Sequence, residues 1–268
     1  MKWAIIMSKT SIHGDKLLSY KKDAEIQAFH EQVYLPSIDA IRTAIRFQQF
    51  GDVAELFAAY RTAVYLKDFK KSQSNLNPSA LQELVLMLVE GVFFNEKTRN
   101  VHHQMDYGGE VKLQTKTTTY SYADGSKDVN STKKQDVAVF SKHDNSGLIV
   151  IECKTYIDST MLSAYRDVCR TMQDNYPLCS TIVVAEMSAL YQGFNKFSET
   201  AIDGVFILSS EFSRVHENIQ VANLKFKGNV IRELYYSIQS IINNFPINAE
   251  KEGMDFREQG YYFKSRLE

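Results

Sequence analysis

The sequence contains few cysteines, and their spacing indicates neither a disulfide framework nor a metal site. Cys153, Cys169 and Cys179 are odd in number, and none has the paired spacing of zinc ligands. His102 and His103 are neighbours, but adjacent residues of a strand point to opposite faces of a sheet. We therefore expect three reduced, buried thiols and no structural zinc.

Long apolar runs and an excess of one charge are also lacking. The first apolar run, Trp3 to Met7, is too short for a secretory signal, and no stretch approaches the roughly 18 residues of a membrane span. Lys+Arg number 31 and Asp+Glu 32, which excludes a polycation but not a local basic patch. With 44% hydrophobic residues in 268, we expect a globular, cytoplasmic protein without membrane contact.

The first hundred residues have the apolar periodicity of helices. The pattern predicts helices over Asp23–Tyr34, Ser37–Phe50 and Asp52–Phe69, with Pro36 as a break or a kink. A polar connector follows, in which Asn77 is suited to cap a helix that begins at Ser79. That helix, Ser79–Phe94, is apolar almost all round and is therefore expected to be buried.

After residue 95 the pattern changes to that of a sheet with flanking helices. It first predicts strand-like stretches in Val101–Tyr122 and a loop over Ala123–Lys134. Two strands around a turn follow, Asp136–Phe140 and Leu148–Tyr156, and then a helix, Ser159–Asn175, capped by Ser159. The last predicted elements are the strands Cys179–Glu186 and Val205–Leu208 and the helix Asn229–Asn243. The fold class is therefore α/β, with a central mixed sheet that follows a helical region.

Charged residues lie at the ends of two of these predicted strands. Asp136 opens one strand, and Glu152 and Lys154 close the next, directly after the apolar run LIVI. An antiparallel hairpin centred on Asp144 places Asp136 opposite Glu152, with their Cβ atoms about 5 Å apart. Two close carboxylates favour a divalent cation, and a neighbouring lysine suits metal-assisted phosphodiester hydrolysis. The alternative is an amphipathic strand with a solvated end.

The spacing from Asp136 to ECK resembles the PD-(D/E)XK nuclease signature, with Gln135 where a proline often stands. Further blocks are similar, in order and spacing, to the BbvCI-like type II restriction endonucleases. These blocks are HGDKL (13–17), KKD (21–23), NPSALQELV (77–85), IECKTYIDSTML (151–162), PLCSTIVVAE (177–186), DGVFIL (203–208) and QGYYF (259–263). The resemblance implies a PD-(D/E)XK restriction-endonuclease-like core with an N-terminal helical region. It also implies a bacterial enzyme that cuts double-stranded DNA at CTNAG- or CCTNAGC-type sites with Mg²⁺.

The resemblance also implies roles for individual residues. Asp136 and Glu152 match the metal-binding acids, Lys154 matches the catalytic lysine, and the Cys153 backbone carbonyl would complete the metal site. Glu83 matches a helical acid that reaches such a site through water, and its alternative is a solvated helix face. For Glu186, at the end of the VVAE strand, a structural role is favoured over a direct one.

Contacts with DNA are harder to read from the sequence. Lys16 and Lys21 lie in a basic N-terminal arm, and Lys133 and Lys134 precede Asp136, where they could meet phosphate or simply occupy a solvated loop. We divide the chain into an N-terminal helical region (1–76), a nuclease core (77–245) and a tail (246–268). The chain is expected to pair with a copy or with a paralogous subunit.

Two alternative functions stay open. The chain could be a non-catalytic DNA-binding or assembly module on the same fold, or another PD-(D/E)XK nuclease of DNA repair or junction cleavage. The intact set of Asp136, Glu152 and Lys154 favours an enzyme, because a module without catalysis would be free to lose it.

Overall fold

The protein is described by a computed structural model, which covers residues 11–67, 73–95, 105–121, 125–142, 147–188, 201–209 and 225–244. The helices in these ranges are α1 (His13–Ser19), α2 (Ala24–Phe29), α3 (Leu35–Arg46), α4 (Phe50–Leu66), α5 (Gln73–Phe94), α6 (Ser159–Asn175) and α7 (Gly228–Asn243). The strands are β1 (Met105–Ser121), β2 (Gly125–Ser141), β3 (Gly147–Ile157), β4 (Ser180–Ser188) and β5 (Gly204–Ile207). None of the helices described is both long and apolar enough to cross a bilayer.

The strands form one mixed sheet in the order β1-β2-β3-β4-β5. β1, β2 and β3 are antiparallel neighbours, whereas β3, β4 and β5 run parallel, with α6 as the crossover between β3 and β4. This architecture, preceded by helices, confirms the predicted α/β fold.

The two faces of the sheet are covered by different helices. Val137 and Ile151 belong to a large apolar core with α3, α4, α5 and α7, whereas Ala138 and Val150 face a smaller cluster with α6. The large core includes residues from both sides of position 76, and α5 itself spans that position. The division of the chain into regions stays an interpretation, and residues 246–268 lie outside the described residues.

Several helix boundaries differ from those predicted. α3 ends at Arg46, and Phe50, predicted as its last residue, begins α4 instead. A π-helical turn, His30–Tyr34, joins α2 to α3, so Pro36 neither breaks nor ends the helix. The widened turn accommodates a proline that has no N–H to donate. α5 begins at Gln73 rather than Ser79 and contains Pro78, and Asn77 is therefore not its cap. The cap of α6 is Asp158 rather than Ser159, because its carboxylate accepts from the N–H groups of residues 160 and 161.

The predicted loop over 123–134 was also wrong, because β2 begins at Gly125 and pairs with β1 continuously from Gly125 to Gln135. Residues 126–130 are exposed. A strand segment that is solvated on both faces, as residues 126–130 are, needs no apolar alternation, and its polar composition therefore resembles that of a loop.

A buried ion pair joins the helices to the sheet. The Arg61 Nε of α4 lies 2.6 Å from the Glu186 Oε1 of β4, and Arg61 Nη2 donates to Oε2 at 2.9 Å. Tyr65 Oη accepts from Nη2 at 2.7 Å and donates to Oε2 at 3.3 Å. Burial alone would lower the pKa of Arg61, but Glu186 and Tyr65 raise it above its ordinary value, so the guanidinium stays charged. The structure thus gives Glu186 the structural role favoured from the sequence.

We predict that Glu186→Gln lowers the free energy of unfolding by about 3 to 5 kcal/mol, because it leaves a buried guanidinium without its counter-charge. The measurement is urea denaturation followed by circular dichroism. The control is Glu25→Gln, which breaks the exposed Lys67–Glu25 pair and should cost at most about 1 kcal/mol. Equal losses in the two variants would contradict the prediction.

Candidate functional site

The pairing of β2 with β3 confirms the predicted hairpin register. Val137 lies opposite Ile151, Ala138 opposite Val150, and Val139 opposite Ile149, before an irregularity at the next residue. The regular pairing stops at Val137, immediately beside Asp136. Asp136 and Glu152 therefore lie side by side at the point where the paired segment of the two strands ends.

Asp136 is held by two hydrogen bonds from its surroundings. Its Oδ1 accepts from Gln82 Nε2 of α5 at 2.6 Å, and its Oδ2 accepts from the Cys153 N–H at 2.8 Å. Burial, together with the Glu152 carboxylate, raises the pKa of Asp136 from 3.8 to about 6, against the opposing effects of the Cys153 N–H and Lys154. The site thus concentrates negative charge to an extent that its own hydrogen bonds do not offset.

Glu152 and Lys154 form the more accessible part of the site. Lys154 Nζ lies 2.5 Å from Glu152 Oε1, and their side chains are 37% and 18% exposed, respectively. Burial alone would lower the pKa of Lys154, but Glu152, the ion pair with it, and Asp136 raise it above its ordinary value. Lys154 is therefore an ammonium group at neutral pH, and it is reachable from solvent.

The oxygen atoms at this site fit a hard divalent cation such as Mg²⁺. The carboxylates of Asp136 and Glu152 supply charged oxygens, and the buried Gln82 Oε1 has no hydrogen-bond partner among the described residues. No group of three or more His, Cys, Asp or Glu side chains arranged to hold a metal occurs in the described parts of the chain. A cation bound by two acids would keep several water ligands, as Mg²⁺ usually does.

Cys153 contributes its backbone to the site and its side chain to the core. The thiol is buried in the large apolar core, and burial raises its pKa well above the ordinary value, which makes it a poor nucleophile. Its N–H binds Asp136. The metal-binding role of its carbonyl stays a prediction. All three cysteines are unpaired and buried, as expected, whereas His102 and His103 lie outside the described residues.

Glu83 has different partners from those expected of a metal ligand. It is fully buried, which excludes the solvated helix face. Its Oε2 accepts from the N–H groups of Ile12 and His13 at 2.6 and 2.9 Å, and its Oε1 accepts from Tyr34 Oη at 3.0 Å. The carboxylate therefore caps the N-terminus of α1, and the preceding residue of α5, Gln82, is the one that contacts Asp136.

His13 is the buried histidine beside this cap. Its Nδ1 is 2.7 Å from Ser79 Oγ, which donates to the Leu76 carbonyl at 2.8 Å, so the histidine nitrogen is the donor in the pair. Burial, with a smaller effect from Arg61, lowers the pKa of His13 from 6.5 to about 3. The imidazole is therefore neutral at neutral pH.

The structure separates the lysines predicted to contact DNA. Lys134 and Lys16 both approach Glu110 Oε1, at 2.7 and 3.4 Å, and Lys134 also lowers the pKa of Asp136 by a small amount. Lys133 lies on the opposite face of the ribbon from Lys134, because neighbouring strand residues alternate. Lys21 is exposed in the turn between α1 and α2, and no described contact joins it to the acids.

Two residues at this site were missed from the sequence. Gln82 is an uncharged residue in an apolar helix, and no spacing rule connects it to Asp136. Glu110 has a positive φ of 51° and lies at the position across from Asp136 where the β1–β2 pairing is interrupted. A non-glycine residue in this conformation is strained, and nothing in the local sequence indicates it.

Comparisons with known proteins agree with the fold. No protein-family model matches the sequence, and no curated protein matches it. The chain has the class of fold in which helices flank a mixed five-stranded sheet. A solved structure with this fold is described as the native BbvCI A2B2 tetramer at low resolution; the TM-score is 0.60, with 15% sequence identity, 87% of this chain covered and 95% of that chain covered. At this level of sequence identity, the likeness concerns the fold.

We predict that His13 makes the fold sensitive to acid. Between pH 6.5 and about 3 the unfolded chain binds a proton at this histidine while the folded chain does not, so stability falls as pH falls through that range. The loss should approach about 1.4 kcal/mol per pH unit, and His13→Gln should remove it. Urea denaturation at several pH values measures the slope, with His30→Gln as the control. An unchanged slope in His13→Gln would refute the prediction.

Gln82 is predicted to position and stabilise the ionised form of Asp136. Removing its N–H donor by Gln82→Leu should raise the pKa of Asp136 by about one unit, because a hydrogen bond to a charged group contributes about 1.5 to 3 kcal/mol. Carboxyl NMR titration measures the shift. Gln173→Leu is the matched control, since Gln173 donates to Asp203 at 3.2 Å on the other side of the sheet. The assignment fails if Gln82→Leu leaves the Asp136 titration unchanged.

Proposed function

We propose that this chain is the catalytic subunit of a type II restriction endonuclease, which makes sequence-specific, Mg²⁺-dependent cuts in double-stranded DNA. The observation that carries the proposal is the convergence of Asp136, Glu152 and Lys154 at one end of the β2–β3 pair. The fold likeness to BbvCI and the sequence blocks shared with BbvCI-like enzymes support the same class.

The surroundings of Asp136, Glu152 and Lys154 suit a different role for each residue. Asp136 and Glu152 would hold the cation through carboxylate oxygens, and Gln82 and the Cys153 N–H orient Asp136 for that role. Mg²⁺, when bound, supplies positive charge that polarises a phosphoryl oxygen. Lys154, kept as an ammonium group by the two acids, would bind the phosphate or orient the attacking water rather than remove a proton from it.

The raised pKa of Asp136 agrees with a site that is completed by a cation. Two carboxylates that share a partly buried position repel each other, and protonation or a bound cation relieves the repulsion. The lysine pairs with Glu152 and lowers the pKa of Asp136 only in part. A divalent ion would supply the remaining positive charge.

A double-strand break requires more than one such cluster. One chain offers one set of Asp136, Glu152 and Lys154, and one set hydrolyses one phosphodiester at a time. The strands of a duplex are antiparallel, so two chains related by a near-twofold axis would place one cluster on each strand. BbvCI is described as an A2B2 tetramer. We propose by analogy that this chain acts with a copy or with a paralogous subunit.

Two alternative functions make different predictions for the same assay. A non-catalytic DNA-binding or assembly module would bind DNA without cutting it. A repair or junction nuclease of the PD-(D/E)XK type would cut branched DNA in preference to an intact duplex. The restriction enzyme alone gives discrete fragments from intact linear DNA.

We predict that Glu152→Ala cuts DNA at less than about one hundredth of the wild-type rate, while DNA binding persists, because an oxygen ligand is lost and the apolar faces of the hairpin are untouched. Lys154→Arg should also lose cleavage, because a planar guanidinium cannot occupy the compact position of an ammonium group. The assay follows supercoiled, nicked and linear plasmid and the fragments of a long genomic DNA, with Mg²⁺ or with EDTA.

Glu233→Ala serves as the control, since Glu233 is an exposed acid on α7 that pairs with Arg232. It should cut as the wild type does. Normal cutting by Glu152→Ala would remove this acid from the reaction, and normal cutting by Lys154→Arg would reduce Lys154 to a diffuse positive charge. Binding without any cutting by the wild type, alone and with its partner, would favour the assembly module.

A further inference from the structure

The β1–β2 hairpin extends well beyond the rest of the sheet. β3 pairs with β2 only from Val137 onward, whereas β1 and β2 remain paired from there to the hairpin end at Ser121 and Gly125. Residues 111–118 and 128–135 thus form a two-stranded ribbon, and its β2 strand runs directly into Asp136. A molecule that lies along the ribbon would also reach the proposed catalytic cluster.

One face of this ribbon, the α6 face, is anchored to the protein. Val111 and Leu113 are buried against α6, and Thr115 Oγ1 is 2.9 Å from Ser131 Oγ on the same face. The end of α6 also holds the β1 backbone: the Asn175 side chain accepts from the Lys116 N–H at 2.7 Å and donates to the Lys116 carbonyl at 3.2 Å. The ribbon is therefore held in a defined position beside the cluster.

The opposite face, here called the basic face, has no apolar side chain among residues 112–118 and 128–134. It consists of the cross-strand pairs Lys112–Lys134, Gln114–Thr132, Lys116–Asn130 and Thr118–Asp128. The contacts confirm that these residues share a face, because Asp128 pairs with Lys116 at 2.5 Å and accepts from Thr118 Oγ1 at 2.9 Å. Most of these side chains are exposed.

The position of two lysines on this face is unfavourable for the protein alone. Lys112 and Lys134 are directly opposite each other, and like charges in this position destabilise a sheet. Glu110 offsets the charge of Lys134, but Lys112 has no ion-pair partner among the residues that the structure describes. Two adjacent ammonium groups that begin two residues from Asp136 are suited to an anion whose charges follow the ribbon.

We infer that the basic face of the ribbon lies in a groove of the DNA duplex that this chain is proposed to cut, an inference that rests on the proposed function. A major groove admits a two-stranded β-ribbon. The six residue steps from Asp136 to Asn130 span about 20 Å at a strand rise of about 3.4 Å, or about six base pairs. The lysines contact phosphates, and the amides of Gln114 and Asn130 face base edges.

Two lysines of the ribbon, Lys112 and Lys127, lie on opposite faces. Lys127 is exposed on the same ribbon, but it alternates with Asp128 and so belongs to the α6 face. Lys127 carries the same charge as Lys112 and is the more exposed of the two. If DNA were attracted only by positive charge in general, both lysines would contribute equally to DNA affinity. If the basic face lies in a groove of the duplex, only Lys112 contributes.

The test measures binding of a fluorescent 30-base-pair duplex of random sequence to the full chain, in Ca²⁺ to prevent cutting and at several salt concentrations. Each lost phosphate contact reduces the slope of log K against log salt by about one. We expect this reduction and an affinity loss of about fivefold or more for Lys112→Ala, and no change for Lys127→Ala. Equal effects in both variants, or none in Lys112→Ala, would overturn the assignment.

A second variant tests the reading of bases. Gln114→Ala/Asn130→Ala should bind the random duplex as the wild type does, yet cut genomic DNA at a wider set of sequences in Mg²⁺, as read from the sequenced ends. An unchanged set of cut sites would refute this part of the assignment. Sedimentation of every variant distinguishes a subunit interface: a changed assembly state with unchanged DNA affinity in Lys112→Ala would assign the face to a protein partner instead.

The outcomes separate this inference from the proposed function. If the wild type cuts DNA and the two lysine variants bind it alike, only the ribbon assignment fails. If the wild type binds DNA through the basic face but never cuts it, the catalytic proposal fails and the ribbon assignment holds. Absence of any DNA binding by the wild type overturns both.

Discussion

The pairing of β2 with β3 is the constraint on which the rest of the site depends. Apolar residues on both faces hold the two strands in one register, and that register brings Asp136 beside Glu152. Burial, and after it the neighbouring Glu152 carboxylate, raise the pKa of Asp136 and so disfavour its ionised form. Burial of the hairpin against helices on both sides therefore keeps the two carboxylates close together, an arrangement suited to a divalent cation.

The N-terminal helices are attached to this sheet through buried polar groups as well as apolar packing. Glu83 caps α1, and Arg61 pairs with Glu186 of β4. Buried charges of this kind are costly when a partner is missing, so they specify one arrangement of helices against sheet more strictly than apolar contacts do. One helix, α5, contributes to both regions: Glu83 holds the N-terminal segment, and Gln82 binds Asp136 of the proposed site.

The strand β2 connects the proposed catalytic cluster to the proposed DNA-binding face. Where β2 lies between β1 and β3, its side chains are buried and support Asp136. Where it leaves β3, the same strand becomes half of a polar ribbon, fixed by α6 on one face and basic on the other. Because one continuous strand carries both parts, the distance between the acids and the basic face cannot vary much.

The order of helices and strands, the apolar strands of the sheet and the Asp136–Glu152–Lys154 set could all be predicted from the sequence, because periodicity and hairpin register are local properties. The polar strand of the ribbon was missed, since its outer part, residues 126–130, buries neither face and has no apolar alternation. Gln82, Glu110 and the cap formed by Glu83 were missed for a different reason. Their roles depend on contacts between residues distant in the chain, such as the 54 positions between Gln82 and Asp136. Side-chain identity and local pattern alone indicated the three residues of the proposed site, whereas only tertiary packing decided which neutral and charged groups surround them.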